Sequence, residues 1–183
     1  MKLKTLIIDD FLDDPDRIRN FIIENKIPFE KTGNYPGKRT TPVDDIDYQN
    51  MITQKLHEVL PFKKKMDPRS FAFHLCLLGD ETWGHIDPTD WAAVLYLTPN
   101  APIEAGTLFL ESDDQMMEKV RKGSYEGESS VVECNLESAI GNVYNRMVVF
   151  RGREIPHLGV VGGFGDCLEN GRLTQVFYFD EVR

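Results

Sequence analysis

The chain has 183 residues, with 21 Lys and Arg against 30 Asp and Glu, for a formal charge of −9. A chain of this length buries about 70% of its unfolded surface, ample for a core without disulfides or a structural metal, and 41% hydrophobic with 28% charged residues is a globular rather than a disordered composition. A pI near 4.9 sets the mean field against polyanions, which argues against nucleic-acid binding and leaves a basic or neutral partner easier to accommodate.

Leu6-Ile7-Ile8 reads as a short strand that ends at Asp9-Asp10, too early for a signal-peptide core. Asp14-Pro15 then supplies an N-cap with proline in the first turn, and Ile18, Phe21 and Ile22 keep the helical period. From Thr32 to Asp47, Gly33, Pro36, Gly37 and Pro42 break any period and predict a loop. A second helix is expected from about Tyr48 to Leu60, with Ile52, Leu56, Val59 and Leu60 on one face, and Lys63-Lys64-Lys65 as a solvated junction. Beyond Phe71 the pattern changes to short strands. The first, Phe71 to Leu77, is apolar at both parities, as a strand buried on both faces should be. Further strands are expected at Thr82 to Asp87, Ala92 to Leu97, Thr107 to Glu111, Ala139 to Tyr144, Met147 to Phe150, His157 to Val161 and Arg172 to Phe179. Eight strands between turn residues fit a double-sheet jelly roll, mainly β, with the N-terminal helices of 1–66 packed outside a core at 71–180. Residues 112–138 interrupt the rhythm with a helix, Asp113 to Lys122, and a Gly- and Ser-rich stretch, and read as an insertion or lid within a single domain. The longest apolar run, Trp91 to Leu97, is well short of the roughly 20 residues of a spanning helix, and Cys76, Cys134 and Cys167 lack metal-type spacing. No membrane segment and a cytoplasmic setting with reduced thiols are expected.

Chemistry concentrates in a few positions. On an extended segment residues two apart point the same way, so His85 and Asp87 converge. Taken alone the triplet also suits a polar surface. His157, after the turn-like Arg153-Glu154-Ile155-Pro156, adds a second imidazole. Two histidines and a carboxylate with vacant positions opposite them form the facial triad of non-haem Fe(II) oxygenases. Arg172 opens the strongest strand signal. Facing inward, its guanidinium would hold a carboxylate by paired hydrogen bonds; facing outward, it would be a rim residue beside Glu169 or Asp180. Trp83, two before His85, is expected to line a pocket, and Tyr35 and Arg146 are further candidates for substrate contact. Arg39 and Arg151 are expected at the surface, His57 at a helix surface or boundary, and His74 as a hydrogen-bonded core residue.

The order of these elements resembles the Fe(II)/2-oxoglutarate-dependent oxygenases, in particular the prolyl-4-hydroxylase-like branch, over about Phe71 to Asp180. The matching runs are His85-Ile86-Asp87, Val94-Leu95-Tyr96-Leu97-Thr98, Ala105-Gly106-Thr107-Leu108-Phe109, Met147-Val148-Val149-Phe150, His157-Leu158-Gly159-Val160 and Gly171-Arg172 before an aromatic strand. The resemblance implies Fe(II) held by His85, Asp87 and His157, and 2-oxoglutarate anchored by Arg172 and Tyr96. Ascorbate would serve as reductant and a peptidyl or amino-acid side chain, or a small molecule, would be hydroxylated. Departures include the long interval between His157 and Arg172, Trp83 where relatives often carry tyrosine, and Val176 where a small polar residue is usual, a role Thr174 would take over. Two other classes fit the same residues: a cupin-like metal enzyme that uses no 2-oxoglutarate, and a non-catalytic jelly-roll binding module.

Overall fold

The computed structural model describes residues 3–33, 35–62, 66–111, 113–126, 135–159 and 162–182. Strand β1 (Thr5–Ile8) leads to helix α1 (Pro15–Glu24), whose Asp14 side chain accepts the Arg17 N–H and closes the first turn. A two-residue strand β2 (Lys38–Arg39) lies within the stretch expected to be all loop. Helix α2 (Ile46–Val59) starts earlier than its apolar period suggests, because the Asp45 carboxylate caps the N–H groups of Asp47 and Tyr48. Then come β3 (Ala72–Cys76), β4 (Trp91–Tyr96), β5 (Thr107–Leu110), α3 (Asp114–Glu126), β6 (Leu136–Ile140), β7 (Met147–Phe150), β8 (His157–Gly159) and β9 (Arg172–Phe179).

All the pairing is antiparallel, in a six-stranded sheet ordered β1-β7-β4-β9-β3-β2 and a three-stranded sheet ordered β6-β5-β8. This is the expected jelly-roll arrangement. β6 overlaps the expected Ala139–Tyr144 at Ala139 and Ile140 and begins inside the interval read as an insertion. Of that interval, residues 112 and 127–134 lie outside the described residues, as do the junction at 63–65 and residues 160 and 161 of the expected His157 strand. The segment expected as a strand at Thr82–Asp87 keeps a single bridge, His85 opposite His157.

Side-chain alternation divides the six-stranded sheet into two cores. Leu95, Phe177, Phe179, Met147 and Val149 turn outward and pack with Ile22 of α1 and Ile52 and Leu56 of α2. Opposite residues on neighbouring strands share a face. The inward face therefore carries the rows Arg39–His74–Thr174–Tyr96, Cys76–Arg172 and Ala72–Val176–Val94–Val148. Phe109, Phe150, Tyr96 and Tyr178 fill part of the space between the sheets. Gln175, a buried polar residue on the outward face, accepts from Tyr48 Oη at 2.5 Å and donates to the Phe71 carbonyl at 3.1 Å. Among the described residues no helix is long and apolar enough to cross a membrane.

Candidate metal and anion site

A backbone pairing brings the histidines together. His85 and His157 exchange N–H···O bonds at 2.9 Å in both directions, so their side chains leave on one face as direct cross-strand neighbours. Their ring centroids are 4.4 Å apart. Asp87, two residues on, returns to the same face, with Oδ2 3.2 Å from His157 Nε2. One ligand atom from each residue lies within 4.8 Å of the other two. The imidazoles are oriented alike: His85 Nδ1 lies 3.2 Å from the carbonyl of Trp83, and His157 Nδ1 3.0 Å from that of Ile155, each the carbonyl two residues back. An Nδ1–H donated to a carbonyl fixes the tautomer in which Nε2 offers its lone pair. Burial, reinforced by His157, pushes His85 down to about 4, so it is neutral at pH 7, as a ligand must be. Burial opposes the charge on Asp87, but the neighbouring His157 imidazole outweighs it and holds the carboxyl below its usual range. Two imidazole nitrogens and a carboxylate, each aimed at one point, are a donor set that fits a divalent first-row metal.

Arg172 faces inward and is 4% exposed. Its Nε donates to the Ala105 carbonyl at 3.1 Å and Nη2 to the Gly106 carbonyl at 3.0 Å. Among the described residues no carboxylate lies within ion-pair distance of it. A buried, unpaired guanidinium costs several kcal/mol by order of magnitude unless an anion joins it, which makes Arg172 a candidate anion-binding residue. Gly159 leaves it room, since a Cβ there would stand 3.3 Å from Arg172 Cζ. Tyr96 is fully buried with its ring 5.7 Å from Arg172 Cζ, and its hydroxyl is 2.7 Å from Thr107 Oγ1. Thr107 joins the site without having been singled out from the sequence. Thr174 lines the same cavity, its hydroxyl on the His74 carbonyl at 3.4 Å.

The triad and Arg172 line one inner cavity of about 50 Å³. It shares Pro36, Arg39, His85, Asp87 and Tyr178 with an outer groove of about 550 Å³. Trp83 and Tyr35 line that groove. Arg146 is not brought to either chamber: it is held by Asp9, Nε to Oδ1 at 2.6 Å and Nη2 to Oδ2 at 3.0 Å, and fastens the chain after β1 to the turn before β7. The surface expectation for Arg39 and Arg151 is overturned. Arg151 is buried, stacked 3.8 Å from the Trp91 ring and paired with Glu181 at 2.6 Å. Arg39 lines both chambers, because β2 adds to β3 at the sheet edge and carries it to the inward face. Gly37 permits that approach: its φ is +60°, and a Cβ there would meet the Leu75 carbonyl oxygen at 2.2 Å. His74 is the hydrogen-bonded buried residue expected, bonded to the Pro36 carbonyl and 3.4 Å from Cys76 Sγ, and it also lines the inner cavity.

No family model and no curated protein matches the sequence. Solved structures do match. A Pseudomonas putida prolyl-4-hydroxylase superposes with TM-score 0.60 at 14% identity, over 98% of this chain and 94% of that one. HygX from Streptomyces hygroscopicus, solved with nickel, 2-oxoglutarate and hygromycin B bound, gives 0.61 at 10%, over 98% and 83%. The 2-oxoglutarate-dependent epimerase SnoN from nogalamycin biosynthesis gives 0.60 at 12%, over 97% and 78%. The chain has the fold of the Fe(II)/2-oxoglutarate oxygenases. That oxygenase fold places the triad and the inward arginine between its two sheets.

Proposed function

We propose that this chain is an Fe(II)- and 2-oxoglutarate-dependent dioxygenase, a single domain acting in the cytoplasm, that hydroxylates a peptidyl or amino-acid side chain. The observation that carries the reading is the pairing, in one cavity, of three converging metal donors with a buried guanidinium that has no counterion among the described residues. His85, Asp87 and His157 would hold iron through Nε2, a carboxylate oxygen and Nε2. Arg172 would take the distal carboxylate of 2-oxoglutarate, with Tyr96 and Thr107 offering hydroxyls beside it. Bound there, iron with 2-oxoglutarate and dioxygen supplies the oxidising chemistry, with succinate and CO2 as co-products.

The chain's own part is to orient and to keep the site dry. The Nδ1 bonds to Trp83 and Ile155 lock both imidazoles against rotation, and Phe150, with its ring centroid 4.4 Å from that of His157, closes the apolar side. The shared lining of the two chambers opens the metal donors to the outer groove, where a substrate would enter. A cupin-like enzyme without 2-oxoglutarate would give Arg172 no role. The free thiols of Cys76 and Cys167 suit a reducing compartment. Anaerobic addition of Fe(II) and then 2-oxoglutarate should produce the weak visible charge-transfer band of the chelate, and air should then yield succinate. Absence of the band in wild-type protein, or its persistence in His85→Ala, would refute the proposal.

A further inference from the structure

The outer groove is cationic although the chain is strongly acidic. Among its described lining residues Arg39 and Arg69 are the basic ones, and Asp87, a metal donor, is the only acid. Arg69 is already engaged, with Nε and Nη2 each 2.6 Å from the Asp67 carboxylate. Arg39 is not. Its Nε is buried with no hydrogen-bond partner, its guanidinium stacks 4.3 Å from the Tyr35 ring, and among the described residues no carboxylate pairs with it. Glu30 faces it across a backbone bridge, yet that side chain is exposed and makes no ion pair with it. Charge at the proposed site points the same way. Divalent iron, the Asp87 carboxylate, dianionic 2-oxoglutarate and Arg172 together are neutral, so the positive charge of Arg39 has no compensation from metal or cosubstrate.

Above Arg39 the groove is aromatic and apolar. The Lys31 ammonium lies 5.0 Å from the Tyr35 ring centroid and 5.3 Å from that of Trp83, so the two rings flank one short stretch of wall. Pro36, Pro42, Pro68 and Pro88 line the rest. We infer that the substrate carries a carboxylate, which binds the Arg39 guanidinium, and an apolar body that lies against Tyr35 and Trp83. A planar guanidinium with an unpartnered Nε and, among the described residues, no paired carboxylate matches one incoming carboxylate. This deepens the oxygenase reading and rests on it, and it makes Arg39 the specificity-determining residue of the groove. The basic or neutral partner favoured by the acidic total charge gives way to an anionic one, because the field at the groove is set by near, partly desolvated charges rather than by the chain total.

The test compares isosteric pairs of probes: phenylacetate with phenylacetamide, indole-3-acetate with indole-3-acetamide, and N-acetyl-L-proline with its prolinamide. Binding is read in two ways, by perturbation of the charge-transfer band of the anaerobic Fe(II)–2-oxoglutarate protein and by quenching of tryptophan fluorescence in metal-free protein. In wild-type protein each acid should bind about tenfold or more tightly than its amide, as expected of a charge-assisted pair. Arg39→Gln should abolish that preference and Arg39→Lys keep part of it, with 2-oxoglutarate affinity unchanged in both. Equal affinity for acid and amide, or binding of neither member of any pair, overturns the inference. So does loss of 2-oxoglutarate affinity in Arg39→Gln, which would assign Arg39 to the cosubstrate. If no chelate band forms at all, the oxygenase reading fails, while the fluorescence arm still decides whether the groove selects a carboxylate.

Discussion

Replacing Arg172 by Met separates a ligand-binding role from a structural one. The guanidinium is almost wholly buried, has two backbone carbonyls as partners, and faces no carboxylate among the described residues. In ligand-free protein a methionine of similar length would remove the desolvation cost of the charge, which a buried charge repays only when paired; such replacements are commonly neutral or stabilising by about 1–4 kcal/mol. The two carbonyl bonds act against this, at about 1.5–3 kcal/mol for each bond to a charged donor. The opposing contributions are of similar size, so the Tm of the ligand-free variant should stay within a few degrees of wild type. The cosubstrate has no such compensation. Truncating one member of a buried charge-assisted pair costs about 2–5 kcal/mol, a rise in the 2-oxoglutarate Kd of roughly thirtyfold or more. Anaerobic calorimetric titration of 2-oxoglutarate into the Fe(II)-loaded protein measures the Kd, and a thermal melt measures the stability. A Kd within threefold of wild type would refute the role of Arg172, and a large fall in Tm with Kd unchanged would make it a structural residue.

Gly159→Ala places a Cβ 3.3 Å from Arg172 Cζ; overpacking of about 1–3 kcal/mol should weaken 2-oxoglutarate by on the order of tenfold while leaving Fe(II) affinity as it is, and equal loss of both in parallel titrations would contradict the placement. Because the core that packs the sheet against α1 and α2 lies on the face opposite the triad, chelator-treated protein should keep its far- and near-ultraviolet circular dichroism, and Fe(II) should raise Tm in wild type but not in His157→Ala. A chelator-induced loss of near-ultraviolet signal would show the metal to be structural instead. The Arg146 hydrogen bond, opposed in small part by burial, holds the Asp9 carboxyl below its usual range. A depressed folded-state carboxyl contributes stability above its unfolded value, and that contribution is lost as pH falls through the lower folded value. Arg146→Gln should therefore be less stable than wild type at pH 7, by no more than about 1 kcal/mol for so exposed a pair, with the gap closing in acid and 2-oxoglutarate affinity unaffected. A urea-melt series across pH checks the first part, and a change in affinity would place Arg146 in the site after all.

The amino-acid sequence determined what depends on near neighbours. Apolar periodicity and capping residues such as Asp14 fixed α1 and most of the strands, and two-residue spacing put His85 and Asp87 on one face. The ordered runs from His85 to Arg172 were specific enough to indicate the fold. Pairings far apart in the chain were decided by the tertiary structure. Arg172 faces inward because its register against Cys76 sets its parity, which an all-buried strand does not reveal from its own residues. β2 escaped notice because two residues show no period; they are held by pairing with β3 and by the Glu30 bridge, and the β3 pairing turns Arg39 from an apparent surface residue into a lining of both chambers. Arg146 went the other way, claimed by Asp9 from the far end of the chain. A charge shows its sign in the sequence, but whether a counterion meets it is settled only when distant strands align.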